Sequence, residues 1–253
     1  MTLDDLALLI PAGLIAGAIN ALAGGGTIFS FSALLAVGLP PITANATSAV
    51  SVLPGQIAAA LAYRHEIAQR LRYLLPYLAV SAAGGIAGGV LLLHTDPAIF
   101  RGLVPYLILF ATLLFVAGPH VARLGAWLAA RRQAAGPGPV PAGLQGLVAI
   151  YGGYFGAGMG IMMLATLSLT EGRDFHRLNA AKNALACAMQ GLAVVVFIVS
   201  DAVNWTSVAV LALASIGGGW GSVSLGRLIP QRLIRGFVIA TGFSLGAWYL
   251  LAA

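Results

Sequence analysis

Charged side chains are scarce in this sequence. Only 8% of its 253 residues are Asp, Glu, Lys or Arg, 60% are hydrophobic, and the mean hydropathy is +0.95. Soluble domains carry about 25% charged residues, and a soluble fold of this size could not bury so much apolar surface. The single cysteine, Cys187, excludes a disulfide framework and a cysteine-based metal site. The composition therefore predicts an all-α polytopic membrane protein.

Catalytic side-chain sets are also missing from the apolar segments. All four histidines lie at segment ends, and Cys187 has no base near it in the sequence. A membrane enzyme would need a nucleophile with its base, or metal ligands, within the spans. The sequence thus predicts a protein that is not an enzyme and uses no cofactor or metal. Its net charge of +6 could suggest nucleic acid, but bases in short membrane-protein loops are orientation signals, so no nucleic-acid partner is expected.

Ten apolar segments are separated by Pro, Gly and charged residues. Three segments in each half have about the 20 residues that a helix needs to cross a bilayer. Two others are too short, and each follows a glycine cluster, so each is predicted to form a glycine-broken helix or re-entrant hairpin with the segment before it. The segments are 6–23, 27–37, 43–63, 73–93 and 98–118 in the first half, and 142–157, 160–170, 177–200, 204–226 and 232–252 in the second.

The two halves of the chain repeat each other. Adding 134 to a residue number in the first half gives its counterpart in the second without gaps, as Asn45 with Asn179 and Gln56 with Gln190. Matches among Ala, Gly and Leu would arise by chance, but Asn, Gln and Arg matches at one offset indicate duplication. We therefore predict a first transmembrane repeat at 1–122, a linker at 123–141 and a second repeat at 142–253.

Basic residues predict the orientation of these repeats, because basic loops are retained in the cytoplasm. With Arg64 placed inside, alternating spans bring 12 of the 13 basic residues to the cytoplasmic side, and only Arg101 lies outside. The linker is then cytoplasmic and both termini are periplasmic. Each repeat crosses the membrane an odd number of times, so the two copies have inverted topology, the arrangement in which transporters bind substrate at the repeat interface.

The two glycine clusters are the first candidate binding elements. A break before a short helix exposes backbone N–H groups at a partially positive helix N-terminus, which is suited to an anion. The alternative is close helix packing, which also uses small residues. The candidate residues are Asn20, Gly24, Gly25, Gly26 and Thr27 in the first repeat, and Tyr154, Gly158 and Gly160 in the second.

The long helix after each short one carries a second polar set. The 11 residues from Asn45 to Gln56 make about three helical turns, which puts both amides on one face. Buried amides in lipid need partners, so they either bind substrate or hydrogen-bond between helices. The candidates are Asn45, Thr47, Ser48 and Gln56 in the first repeat, and Asn179, Lys182, Asn183 and Gln190 in the second.

Lys182 is the only lysine, and it replaces Ser48 in the repeat register. An ionisable group inside a span is by default a functional candidate. Lys182 either contacts substrate or extends its ammonium to the cytoplasmic surface.

Three motifs of the first repeat, each with a degenerate second copy, resemble a known family. The Ala-Gly-Gly-Gly-Thr break at 23–27, the Gly-Leu-Pro-Pro turn at 38–41 and the Asn-Ala-Thr-Ser segment at 45–48 look like those of the TauE/SafE sulfite exporter family. The resemblance covers nearly the whole chain. It implies a multi-pass permease of the bacterial inner membrane that moves sulfite, sulfonates, thiosulfate or related organic anions, usually outward. One departure is that Ser30 and Phe31 lie near where the family commonly has a proline.

The acids indicate how such transport would be driven. All seven fall in loops or at span ends, which leaves no proton relay near the midplane. We therefore favour electrogenic uniport of the anion, with proton coupling as the alternative. They are Asp4, Asp5, Glu66, Asp96, Glu171, Asp174 and Asp201.

Together these features predict a permease or exporter of a small sulfur-containing or organic anion, working by alternating access between the repeats. Its expected partners are the anion and the lipid bilayer, and a homodimer is left open. The alternatives are a permease-like subunit that works with a sulfur-carrier partner, or a membrane-embedded enzyme.

Overall fold

The fold is built of α-helices. The computed structural model describes residues 2–22, 25–131, 139–171, 175–225 and 231–252, and no strand occurs in these ranges. The helices of the first half are α1 (Leu3–Leu22), α2 (Thr27–Ala36), α3 (Pro41–Ala62), α4 (Arg64–Gln69), α5 (Leu71–His94) and α6 (Pro97–Arg131). Those of the second half are α7 (Pro139–Tyr154), α8 (Met159–Glu171), α9 (Phe175–Val199), α10 (Trp205–Leu225) and α11 (Gln231–Ala252).

Four helices in the described ranges are both long and apolar enough to cross a membrane. Each has 18 to 24 such residues, and large apolar side chains such as Leu213 and Trp220 are exposed on the outside of the molecule. A continuous apolar exterior is what lipid requires. The prediction of a polytopic helical membrane protein is therefore confirmed. The four stretches are Leu3–Asn20, Leu71–His94, Pro97–Gly118 and Arg177–Val199.

Both predicted helix breaks are present. Between α1 and α2, Gly26 lies so close to α1 that an added Cβ would overlap the backbone oxygen of Ala16. Between α7 and α8, Gly156 and Gly158 have φ values of +80° and +76°, which favour glycine. The Tyr151 hydroxyl donates to the Ala157 oxygen across this second break, 2.7 Å away. Each short helix thus turns back along the longer helix before it.

Some boundaries differ from the predicted segments. Helix α6 continues to Arg131 and α7 begins at Pro139, so both ends of the predicted linker at 123–141 are helical. Residues 132–138 lie outside the described ranges. The short helix α4, between the spans, was not predicted, because its six residues carry no apolar periodicity and a short basic stretch gave only an orientation signal.

Helices of different halves pack closely at glycines. In α10, a Cβ at Gly218 would overlap the backbone oxygen of Leu14 in α1. In α5, a Cβ at Gly88 would overlap the backbone oxygen of Ile150 in α7. The offset of 134 relates α1 to α7 and α5 to α10, so the same contact occurs twice with its partners exchanged. Interlocked halves of this kind need small residues at the crossing points.

Alanine at position 218 is expected to destabilise the protein, whereas alanine at position 221 is not. Nothing lies within 4 Å of a Cβ at Gly221, three residues along the same helix. Overpacking costs about 1–3 kcal/mol, while Gly→Ala at an open helical site is neutral or stabilising. Thermal unfolding in detergent should give a lower midpoint for Gly218→Ala only. Equal midpoints for the two variants would show that α1 and α10 are not in close contact.

Candidate functional site

A small polar cavity lies where both halves meet. Its volume is about 10 Å³, space for about one water molecule. A solute larger than one water molecule therefore fits only if the walls move apart. The cavity is lined by Thr27, Asn45, Ser48, Ala49, Gly152, Gly153, Phe155, Gln190, Ala193 and Phe197. Of the predicted site residues, the structure brings Thr27, Asn45, Ser48 and Gln190 together here.

Side-chain hydrogen bonds hold the first-half wall of the cavity. Asn45 donates from Nδ2 to the backbone oxygen of Tyr154 at 2.8 Å, which joins α3 to the second helix break. The Ser48 hydroxyl lies 2.7 Å from the Ser30 hydroxyl of α2. Asn45 and Ser48 are buried, at 5% and 2% exposure, so these bonds form out of contact with solvent. Tyr154 therefore supports the cavity through its backbone.

Gln56 and Gln190 form a hydrogen bond with each other. The Nε2 of Gln56 donates to the Oε1 of Gln190 at 2.9 Å, and the Nε2 of Gln190 lies 3.4 Å from the Ala49 oxygen. The Oε1 of Gln56 is buried without a hydrogen-bond partner among the described residues. The two residues are exact counterparts in the repeat register, since 56 plus 134 is 190.

Thr47 faces away from the cavity, toward a second, larger one. Its Oγ1 accepts the backbone N–H of Asn204 at 3.0 Å, where α10 begins. Asn204 lines a cavity of about 190 Å³ together with Asp5, Leu9, Val37, Leu39, Thr206 and Ser207. This second cavity lies at the end of the molecule where α1 begins and α2 ends. Thr47 is thus tied to a residue of the second cavity and lines neither cavity itself.

The first glycine cluster packs against α1 and α6. The Oδ1 of Asn20 accepts the N–H of Gly26 at 3.0 Å, which fixes the start of α2. A Cβ at Gly25 would overlap the ring of Phe115 in α6. The geometry of Gly25 and Gly26 matches the packing alternative, and Thr27 is the residue of the cluster that lines the cavity. Gly24 lies outside the described residues.

The remaining predicted residues do not line the small cavity. Gly158 and Gly160 belong to the second break, where a Cβ at Gly158 would make an ordinary contact with Leu114 of α6. Asn179, Lys182 and Asn183 lie in the first half of α9, half-buried and about two to three turns before Gln190. They occupy the register positions of Asn45, Ser48 and Ala49.

Sequence reasoning missed the small and aromatic residues of the wall. A Cβ at Gly153 would overlap the backbone oxygen of Gly85, and one at Gly152 would overlap the Met189 side chain. These two glycines therefore let α7 approach α5 and α9 beside the cavity. Their only sequence signal was that they precede the second break within the same glycine-rich run.

The small cavity is polar but uncharged. None of its lining residues is ionisable, and no group of three His, Cys, Asp or Glu residues able to hold a metal occurs in the described ranges. Hydroxyl and amide groups offer N–H and O–H donors in a medium of low dielectric, where such bonds are stronger than in water. The arrangement suits reversible binding of a small polar solute.

Apolar exterior, broken helices and an enclosed polar cavity define a multi-pass helical membrane protein. The sulfite exporter TauE/SafE family matches residues 9–249, and the chain belongs to this family. Membership makes it a membrane transporter.

Curated relatives agree with this assignment. A probable membrane transporter protein of Haemophilus influenzae is 28% identical over 97% of this chain and 94% of its own length. The probable membrane transporter protein ORF9 of a Sinorhizobium species is 26% identical, over 90% and 88% of the two chains. The probable membrane transporter protein YfcA of Escherichia coli K12 is 26% identical, over 89% and 82%. No solved structure matches the chain.

Proposed function

We propose that this protein is a permease for a small sulfur-containing or organic anion of the sulfite, sulfonate or thiosulfate class. The observation that carries the proposal is the cavity at which Thr27, Asn45, Ser48 and Gln190 converge from both halves of the chain. The family match adds the expectation of a sulfur oxyanion.

The chemistry of the wall favours an anion over a cation. The lining contains no carboxylate that could balance a cation. The hydroxyls of Thr27 and Ser48 and the amide of Gln190 can donate to anion oxygens once the cavity opens. Thr27 is also the first residue of α2, where backbone N–H groups and the helix dipole favour negative charge. Neutral donors hold an oxyanion weakly enough for it to leave again.

Membrane potential can drive the export of such an anion. With the cell interior negative, outward movement of one negative charge gains about 2.3 kcal/mol per 100 mV. This free energy can sustain a concentration ratio of the anion across the membrane on the order of fifty-fold. The acids of the described ranges lie at helix ends or turns, so uniport fits the chain better than proton coupling. Export from the cytoplasm of a bacterial inner membrane follows as the expected direction.

Alternating access between inverted repeats is the proposed mechanism. Three features support it: the paired helix breaks, the exchanged packing of α1 with α10 and of α7 with α5, and the contact between the counterparts Gln56 and Gln190. Rocking one repeat against the other would open the cavity first to one side and then to the other.

The proposed topology predicts that both termini are periplasmic and the linker is cytoplasmic. On a Cys187→Ala background, cysteines at 137 and 253, both outside the described residues, report the two sides. An impermeant thiol reagent added to intact spheroplasts should label position 253 and leave position 137 unlabelled until the cells are lysed. Labelling of position 137 in intact spheroplasts would reverse the orientation and remove the charge argument for it.

Flux through proteoliposomes tests the substrate class. We expect protein-dependent flux of sulfite, thiosulfate or sulfoacetate that exceeds the flux of taurine, which carries the same sulfonate group as sulfoacetate but no net charge. An empty liposome and a liposome with the Asn45→Leu variant are the controls. Equal rates for taurine and the anions, or none above empty liposomes, would contradict the proposal.

A further inference from the structure

We propose that the larger cavity is the outer vestibule of the transport pathway, and that the Asp5 carboxylate on its wall lowers the affinity for an anion that enters from this end. The inference rests on the proposed anion transport but concerns a different part of the chain from the small cavity. The larger cavity has a volume of about 190 Å³, which at about 30 Å³ per molecule is space for about six waters. A small solute can therefore occupy it together with water.

Helix α2 runs from the small cavity to the larger one. Its first residue, Thr27, lines the small cavity, and Val37, which follows its last residue, lines the larger one. Ten helical residues rise about 15 Å. Gly38 then turns the chain with a φ of +85°, and Leu39 after it lines the larger cavity again. Helix α2 therefore spans the distance between the two cavities.

Helix α3 is tied to the larger cavity by a buried hydrogen bond. Asn45 and Ser48 line the small cavity, and Thr47 lies between them in the sequence. The Oγ1 of Thr47, which is fully buried, accepts the backbone N–H of Asn204 on the wall of the larger cavity. A movement of α3 that opens the small cavity toward this end therefore acts on the wall of the larger cavity too. Such coupling is expected of a vestibule that belongs to the pathway.

The larger cavity carries a negative charge, whereas the lining of the small cavity carries none. Asp5 is the only ionisable residue among the described residues on its wall. A carboxylate in a partly enclosed space repels an anion more strongly than one in open water, because fewer water molecules screen it. An anion is thus repelled from this end of the molecule. The other residues of the wall are Leu9, Val37, Leu39, Asn204, Thr206 and Ser207.

Capping of α1 accounts for only one oxygen of Asp5. Its Oδ2 accepts the backbone N–H of Thr2 at 2.6 Å, and the Thr2 hydroxyl accepts the Asp5 N–H at 3.2 Å. This reciprocal capping box needs an acceptor but no charge. Asp5→Asn therefore keeps the cap and removes the charge. Asp4 in the same turn is exposed and is not on the cavity wall, so Asp4→Asn is the matched loss of charge.

Two thiol reagents of opposite charge measure the electrostatic potential of the cavity without any transported solute. On a Cys187→Ala background, Thr206→Cys is the reporter, and its reaction rates with sulfonatoethyl and trimethylammonioethyl methanethiosulfonate are compared in lipid nanodiscs at low ionic strength. Asp5→Asn should raise the ratio of the anionic to the cationic rate about tenfold, since each rate changes about threefold in opposite directions. Asp4→Asn and the charge-conserving Asp5→Glu should change it by less than about twofold.

A reporter away from the cavity gives the background of this assay. Ala98→Cys, exposed in the first turn of α6, should show the same rate ratio with and without Asp5→Asn. Raising the ionic strength should reduce the effect at position 206. Equal changes at position 206 for Asp4→Asn and Asp5→Asn, or no change for either, would overturn the role of Asp5.

Transport kinetics from each face test whether the cavity belongs to the pathway. At low ionic strength, Asp5→Asn should lower the half-saturation concentration of sulfite about threefold from the face where α1 begins, and leave the value from the other face unchanged. Asp4→Asn should leave both values unchanged. A changed reagent ratio with unchanged half-saturation concentrations would place the cavity off the pathway and overturn the vestibule. Failure of the proposed function is distinct from this result, because it appears as no flux from either face in the unaltered protein.

Discussion

Replacing Asn45 by Leu is expected to lower anion flux about tenfold at low substrate concentration. The change removes a polar group from the cavity wall and leaves the backbone oxygen of Tyr154 without its side-chain donor. Loss of a hydrogen bond in a buried site costs about 1–3 kcal/mol, and 1.4 kcal/mol corresponds to one factor of ten. Initial rates of sulfite or thiosulfate flux in proteoliposomes measure the effect.

The control is a buried hydroxyl that has no part in the cavity. Ser168 in α8 is 4% exposed, and its Oγ donates to the Ala165 oxygen of its own helix. Ser168→Ala should retain near-normal flux. If folded Asn45→Leu protein transports at the rate of Ser168→Ala protein, Asn45 only ties α3 to α7, and the binding site lies elsewhere.

Replacing Lys182 by Met should weaken capture of the anion from the cytoplasmic side by about tenfold. Lys182 lies in the first half of α9, on the side of Gln190 predicted to face the cytoplasm. A positive charge near a site of low dielectric attracts an anion more strongly than a surface charge does. Flux measured separately from each face of oriented vesicles should show a higher half-saturation concentration from the cytoplasmic face only.

Arg64→Met provides the matched loss of charge. Arg64 is exposed at the start of α4, at the same predicted end of the molecule, where salt screens its charge. We expect a small effect that vanishes at physiological ionic strength. An equal loss from both faces in Lys182→Met would mean that this lysine stabilises the fold or extends to the surface, and does not form one side of the pathway.

The helices could be predicted well from the sequence because the lipid environment restricts their length and composition. Every spanning helix must be long and apolar, so the segment 73–93 corresponds to α5 at Leu71–His94 within two residues. The short helices α2 and α8 were also predicted, since the glycine runs before them interrupt the apolar pattern. Polar helix ends were harder to place. Helix α6 runs on to Arg131 because charged and small residues continue a helix readily outside the apolar layer.

The site was only partly predictable. Asn45, Ser48 and Gln190 were recognised because polar side chains are rare in apolar spans, and the structure puts them on one cavity. Gly152 and Gly153 were missed because their role depends on how closely α7 approaches α5 and α9, which no local pattern encodes. The contact between Gln56 and Gln190 could be expected only as a register match. Their hydrogen bond depends on how the two halves of the chain pack together, which the sequence pattern does not encode.

Current measured on a supported membrane tests most directly whether this protein moves an anion through the described cavity. Proteoliposomes adsorbed to the sensor receive a sudden step of sulfite, thiosulfate or sulfoacetate, and net charge movement appears as a transient current. We predict a current whose sign corresponds to negative charge entering the vesicles, no current with taurine, and a strongly reduced current with Asn45→Leu. No current with any of the three anions, or the same current with Asn45→Leu as with the unaltered protein, would contradict the account.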